Sequence, residues 1–398
     1  MPQYSPSPAV PSYLPMTVFS FLGAVTFSAA SSAPTPLYPL YQHLFHLSPA
    51  MITVIFGSYA FALLAALLTL GGLSDFLGRK PLILLALSLN AVALTIFALA
   101  GSGQVLILAR VVQGFATGIA FPTFGAAILD TDRQRAPLLN GTSAFLGLTV
   151  GSLLGGALVA YAPFPTSLVY VALLAITVLL IGTLAVMPET GSRRPGALKA
   201  LRPNISVPKQ ARSTLIKVTP INVAGWSLGG FYLSLMPATV TVATGIVSPF
   251  VGGAVVATLM LSGTASVLIF RKGEAQQVLR MVTGTLVAGV ITTLAGVHFQ
   301  AVGLLFLGTT IAGLGFGANF ANILRTLLPL AAPTERAELF AAFLVESYLA
   351  FAIPAILAGL AAPLLGLSQT AYAYGGIIVM LSAVSVMITR SGLTEEPA

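Results

Sequence analysis

Apolar runs of about twenty residues or more recur along the chain, separated by short polar or charged breaks. They fall near residues 16–40, 50–72, 81–100, 105–129, 141–160, 166–186, 218–243, 247–269, 279–297, 301–325, 338–361 and 370–389. A helix of that length crosses the roughly 30 Å hydrocarbon core of a bilayer and satisfies its own backbone groups there. The pattern predicts an all-α polytopic membrane protein with twelve transmembrane helices. The first run is the least regular. Its "SSAPTPLYPLYQ" sets Pro34, Pro36 and Pro39 near the outer end, which predicts a kinked or unwound turn.

Composition agrees with this reading. The 398 residues are 57% hydrophobic and 7% charged, with a mean hydropathy of +0.96. A soluble domain carries about 25% charged residues, so a soluble fold is excluded. With no cysteine, disulfides and thiolate metal sites are excluded too. His43 and His46 stand three apart in a loop-like stretch with no acid beside them, so neither a metal nor a cofactor is expected.

Charge sets the topology. Arg79 and Lys80 follow span 2, and Arg133 and Arg135 follow span 4. Arg193, Arg194, Lys199, Arg202, Lys209, Arg212 and Lys217 follow span 6. Arg271, Lys272 and Arg280 lie between spans 8 and 9, Arg325 and Arg336 between 10 and 11, and Arg390 after 12. These are 17 of the 18 basic residues, all at alternate connections, so both termini are expected to be cytoplasmic. The net charge of +8 is thereby a topology signal, and no nucleic-acid partner is expected. The Pro-rich start, residues 1–15, has no Lys or Arg and reads as a disordered tail, not a signal peptide. Residues 187–217 read as a flexible cytoplasmic linker. It separates six-helix bundles at 16–186 and 218–390, with a tail at 391–398. Two such bundles suit rocking about a central site.

Two charges fall out of place: Arg110 in span 4 and Glu346 in span 11. Arg325 is a borderline third, since "RTLLPLAAP" is apolar enough to extend span 10. A charge at the centre of a span costs about 2.5–3.5 kcal/mol on insertion scales, so each is a candidate functional group. Removal from water favours the neutral form of a carboxyl, and a nearby cation favours the charged form. A proton that loads and leaves there couples to rocking. Permanent neutrality, or pairing with Arg325, is the alternative for Glu346. Arg110 is expected to tune the same cavity, or else to be a structural arginine on backbone carbonyls.

"GGLSDFLGRKP" after span 2 sets out Gly71, Asp75, Gly78, Arg79 and Lys80. "ARVVQGFATGIAFP" places Arg110, Gln113, Gly114, Thr117, Gly118 and Phe121 on one helical face. "GLTVGSLLGGAL" repeats Gly147, Gly151 and Gly155 every four residues, with Gly156 beside the last, a close-packing groove. The first motif resembles the signature loop of the major facilitator superfamily, and the second its Arg-x-x-Gln-Gly run. The third is similar to the family's antiporter motif, except that Ser152 stands where that motif has proline. Span 6 ends "MPETG", like the family's Pro-Glu-Thr ending, while "FRKGEAQQVLR" in the second half lacks the aspartate. The resemblance implies that Asp75 latches the halves against helix 11, that Arg79 pairs with Asp130, and that Arg110 takes part in proton coupling.

The resulting expectation is a proton-coupled exporter of a small organic or amphipathic compound, monomeric, in a bacterial inner membrane. Its partners are the substrate, protons and the lipid bilayer. Uptake by proton symport is the alternative. A membrane enzyme is disfavoured because no nucleophile–base or metal set lies at membrane depth, and no phosphate-binding loop is present. Substrate-binding candidates are Gln113, Asn222, Trp226, Tyr232, Asn319, Asn322 and Tyr348. Trp226 reads equally as an interfacial anchor. Tyr38 and Tyr41 are candidates for an outer rim.

Overall fold

The structure is a computed structural model and describes residues 13–197, 201, 203, 205–332 and 335–391. Most of the expected tails, at 1–12 and 392–398, and Lys199 and Arg202 of the linker lie outside the described residues. All regular elements among the described residues are helical. Among the described residues, ten helices are long and apolar enough to cross a membrane. Leu168–Leu184 is apolar but 17 residues long. The twelfth crossing, Lys209–Ser234, begins with a basic turn that lowers its mean hydropathy.

Spans 2 to 6 are Pro49–Leu70, Arg79–Ala98, Gly103–Thr131, Ala136–Tyr161 and Leu168–Leu184. Spans 8 to 12 are Pro249–Phe270, Ala275–His298, Val302–Leu327, Arg336–Leu365 and Leu367–Ser391. Spans 1 and 7 are each broken. Span 1 runs Leu14–Ser32, turns through a 3-10 segment at Thr35–Leu37, and resumes at Tyr38–Phe45. His43 is therefore helical and not in a loop. Span 7 breaks at Leu235 and resumes at Met236–Thr244. Its helix starts at Lys209, so the stretch read as linker is helical from 209 onward.

Helices of residues 14–184 pack on one another, as do those of 209–391, and spans 2/11 and 5/8 cross between them. Glycine sets the closest approaches. A Cβ on Gly151 would strike Ala29 O and Ser32 Oγ of span 1. Gly147 and Gly155 meet the same helix, while Gly156 faces Pro249 and Phe250 of span 8. Without Cβ atoms the backbones come close enough for dispersion to hold them, where lipid offers no hydrophobic gain.

The remaining contacts between halves cluster toward the ends away from the signature loop. Phe56 and Phe351 lie 4.8 Å apart and Tyr161 and Phe250 5.9 Å apart, ring centre to ring centre. Gly359 backs onto Thr53 and Gly57 onto Ile356. Spans 5 and 8 touch nearer the signature-loop end as well, at Gly141 and Val267.

Candidate functional site

Proline explains the first group of polar contacts. A proline has no N–H, so the carbonyl four residues before it loses its helical donor. Pro34 thus frees Ala30 O, Pro237 frees Leu233 O, and Pro354 frees Ala350 O. Each receives a side-chain donor from another helix. Gln113 Nε2 donates to Ala30 O at 2.9 Å, and Ser227 Oγ to Ala350 O at 3.1 Å. Thr35 Oγ1 donates to Leu233 O at 2.9 Å, from the broken turn of span 1 to that of span 7, across the two halves. Without such donors a carbonyl at this depth is unsatisfied.

Arg110 completes the first of these joints. It is 1% exposed. Its Nη1 donates to Ser31 O at 2.7 Å and to Gln113 Oε1 at 2.9 Å, and Nη2 donates to Tyr38 Oη. The guanidinium carbon lies 5.3 Å from the Tyr59 ring centre and 5.8 Å from those of Tyr38 and Phe97. It caps the end of the Leu14–Ser32 helix, where the macrodipole favours a cation. Among the described residues no carboxylate is in ion-pair distance, and Nε makes no hydrogen bond. Its bonded partners come from spans 1 and 4, so the structure does not bring it to Glu346. Gln113 is 0% exposed, with both ends of its amide engaged. Tyr38 and Tyr41 are also buried, Tyr41 sharing a 2.9 Å hydroxyl contact with Tyr170, so neither forms an exposed rim.

Glu346 is partly exposed and held by neutral groups from span 7. Thr219 Oγ1 donates to Oε2 at 3.0 Å and Asn222 Nδ2 to Oε1 at 2.9 Å. Asn222 Nδ2 also reaches Ser347 Oγ at 3.1 Å. Arg325 is not its partner. That side chain is exposed and donates to Gly273 O at 2.6 Å, in the connection between spans 8 and 9.

Trp226, one turn above Asn222, packs among Tyr348, Phe351 and Phe320 at ring separations of 5.1, 5.7 and 6.0 Å. It is partly exposed and packs against aromatic side chains of spans 10 and 11. Asn319 donates to Ile221 O at 3.0 Å, and its buried Oδ1 has no hydrogen-bond partner among the described residues. Two other candidates are elsewhere. Tyr232 is 2% exposed and bonds Thr309 Oγ1 at 2.9 Å inside the second half. Asn322 holds Ala275 O at 2.8 Å, at the start of span 9.

The signature loop forms a second cluster, within the first half. Arg79 Nε donates to Asp130 Oδ2 at 2.9 Å, and Nη1 to Asp75 Oδ1 at 2.6 Å and to Ser74 Oγ at 2.7 Å. The Asp75 side chain is 63% exposed and bonded to Arg79, not to span 11. Glu189, the acid of the "MPETG" ending, is the centre of this corner. It accepts from Arg79 N at 2.7 Å, Lys80 N at 3.0 Å and Gly191 N at 2.8 Å. A carboxylate on the orphan N–H groups of a helix start is favourable on both hydrogen-bonding and dipole grounds. Gly78 makes the approach possible, with φ +93 and a built Cβ only 2.7 Å from Glu189 Oε2. Lys80 Nζ then reaches the end of span 6, at Met187 O (2.6 Å) and Ala185 O (3.2 Å).

The chain is similar to known proteins. Residues 20–273 match the family model of the Major Facilitator Superfamily. A 112-residue stretch is 37% identical to a triacylglyceride transporter of Mycolicibacterium smegmatis, covering 27% of this chain and 20% of that one. A 162-residue stretch is 28% identical to the multidrug resistance protein MdtL of Shigella dysenteriae, covering 39% of this chain and 41% of the relative. The chain thus spans less than half the length of these relatives.

Two solved structures share the fold over nearly the whole chain. One is a bacterial homolog of the human lysosomal transporter Spinster, inward-facing and unoccupied. It gives a TM-score of 0.75 at 15% identity, covering 98% of this chain and 100% of that one. The other is the nucleoside transporter NupG, at 0.70 and 12%, covering 96% and 99%. The model matches more than half of the chain, and the protein belongs to the major facilitator superfamily.

Proposed function

We propose that this transporter moves a small organic or amphipathic compound out of the cell in exchange for protons, with Glu346 as the proton carrier. The observation that carries the reading is the pair of acceptors around one hydroxyl. Thr219 Oγ1 lies 3.0 Å from both Glu346 Oε2 and its own helix carbonyl, Leu215 O. Its single proton serves either. With the carboxylate charged, Thr219 donates to Glu346. With the carboxyl protonated, Glu346 donates to Thr219, which turns its proton to Leu215 O. Both states are hydrogen-bonded, and no cation among the described residues pairs with the group. A proton can therefore load and leave without stranding a buried polar atom.

The halves are in contact at the Thr35–Leu233 joint and around Phe56 and Phe351, while Asp75 is exposed and unlatched at the basic face. We read this as the state open toward the basic side, which charge distribution assigns to the cytoplasm. Export rests on the resemblance to MdtL and on the glycine run of span 5. The aromatic group around Trp226 suits an aromatic or amphipathic ligand. A resistance screen of an overexpressing strain supplies a substrate. Its uphill accumulation in inverted vesicles that are acid inside, and not in inverted vesicles that are alkaline inside, is the expected result. Accumulation in the opposite sense would establish uptake.

A further inference from the structure

The two halves end differently at the basic face. In the first, Glu189 and Lys80 tie the end of span 6 to the start of span 3. In the second, the corresponding helices, spans 9 and 12, leave between them a groove of about 770 Å³. That lies within the roughly 300–1,000 Å³ of sites that bury small ligands. Arg280, Gly284, Ala288 and Ile291 line it from span 9, and Ala383 and Met387 from span 12. The groove surface is apolar. Its hydroxyl groups at Thr283 and Ser382 turn back to Leu279 O and Ile378 O, each at 2.8 Å. A Cβ on Gly284 would meet nothing within 4 Å, so the cleft is open there.

Charge is confined to one end. Arg280 is exposed and forms no ion pair among the described residues. Arg271 and Lys272 lie just before span 9, with Glu274 as the one acid in that connection, and Arg325 is pinned to the same loop through Gly273 O. An apolar cleft with a basic mouth, between membrane-crossing helices, matches one kind of molecule in shape and charge. We propose that this groove is a specific site for an anionic phospholipid. The acyl chains lie along Gly284, Ala288 and Ile291, and the phosphate meets Arg280 beside the positive start of span 9. The lipid ties spans 9 and 12 together, where no counterpart of the Glu189–Lys80 staple occurs among the described residues.

The test needs no transport substrate. Full-length protein is delipidated in neutral detergent and titrated with phosphatidylglycerol or phosphatidylethanolamine of matched chains. Retained lipid is counted by native mass spectrometry, alongside the melting temperature. Wild type is expected to hold phosphatidylglycerol about fivefold more tightly, the effect of one basic side chain at an anionic headgroup. Arg280→Gln removes that preference while keeping chain binding. Gly284→Phe fills the cleft and weakens both lipids. Arg193→Gln, at the other corner, behaves as wild type. Arg280 is exposed, so its variant tests headgroup selectivity without disturbing the core. Equal retention of the two lipids by wild type, or an unchanged preference in Arg280→Gln, overturns the proposal.

Discussion

Arg110 and Glu346 each sit inside an apolar helix, one in either half of the chain. Arg110 is sealed: it is 1% exposed, donates to a freed carbonyl, an amide and a phenol, and lies against three aromatic rings. Glu346 is partly exposed and held by a hydroxyl and an amide that can serve it charged or neutral. The guanidinium thus mends a helix break. The carboxylate is held by side chains of span 7, one of them a hydroxyl that can both donate and accept. Two residues that look alike as anomalies in a hydrophobic sequence differ in what surrounds them.

The largest effect is expected at the sealed charge. Arg110→Ala removes hydrogen bonds from a charged group, each worth about 1.5–3 kcal/mol, and strands Ser31 O. Loss of about 3 kcal/mol or more should appear as a collapsed melting temperature and yield in detergent. Arg110→Lys should rescue only in part, because a single ammonium cannot span the same fork. A wild-type melting temperature in Arg110→Ala would contradict the capping role.

Glu189→Gln comes next. It keeps the size of the side chain and weakens charge-assisted bonds to three N–H groups, with an expected cost of about 1–2 kcal/mol. The chain has no native cysteine, so a reporter at Gly72→Cys reads the loop directly. Its labelling should rise in Glu189→Gln and stay unchanged in a variant of the exposed Arg193.

Thr35→Val should act on the state and less on the fold. It leaves Leu233 O unsatisfied, at about 1–2 kcal/mol, only while the outer ends are closed. A cysteine at Phe56, buried against Phe351 of the other half, should then label about tenfold faster. Thr35→Ser should restore the wild-type rate. Equal rates in all three would remove this joint from the gate. Ser227→Ala, which strands Ala350 O within one half, is expected to cost about 1 kcal/mol without changing that labelling.

How much of this was legible in sequence varies from element to element. Long apolar runs set the span count because membrane depth and helix rise leave few alternatives. The prolines also mark their orphaned carbonyls, since Pro34, Pro237 and Pro354 point to Ala30, Leu233 and Ala350 by simple counting. What counting cannot supply is the donor. Gln113, Thr35 and Ser227 each come from a different helix, and only tertiary packing brings them there. For the same reason Gln113 and Tyr232 read as cavity groups on helical faces, yet are consumed inside their own half. Glu189 was more accessible: an acid just past span 6, opposite a glycine turn and a helix start, has an obvious place to go. The start of span 7 was obscured because Lys209, Arg212 and Lys217 read as linker, though a helix tolerates them once it has left the membrane.

The contrast between the two buried charges is tested most directly at Glu346. Purified Glu346→Gln protein is reconstituted in proteoliposomes. Two rates are measured side by side: substrate accumulation under an imposed pH gradient, and substrate exchange with no gradient. Glutamine keeps an acceptor for Thr219 and Asn222 but carries no titratable proton, so stability should stay within about 1 kcal/mol of wild type. Lost accumulation with exchange retained is the expected result. Accumulation at the wild-type level would show that Glu346 is not the proton carrier.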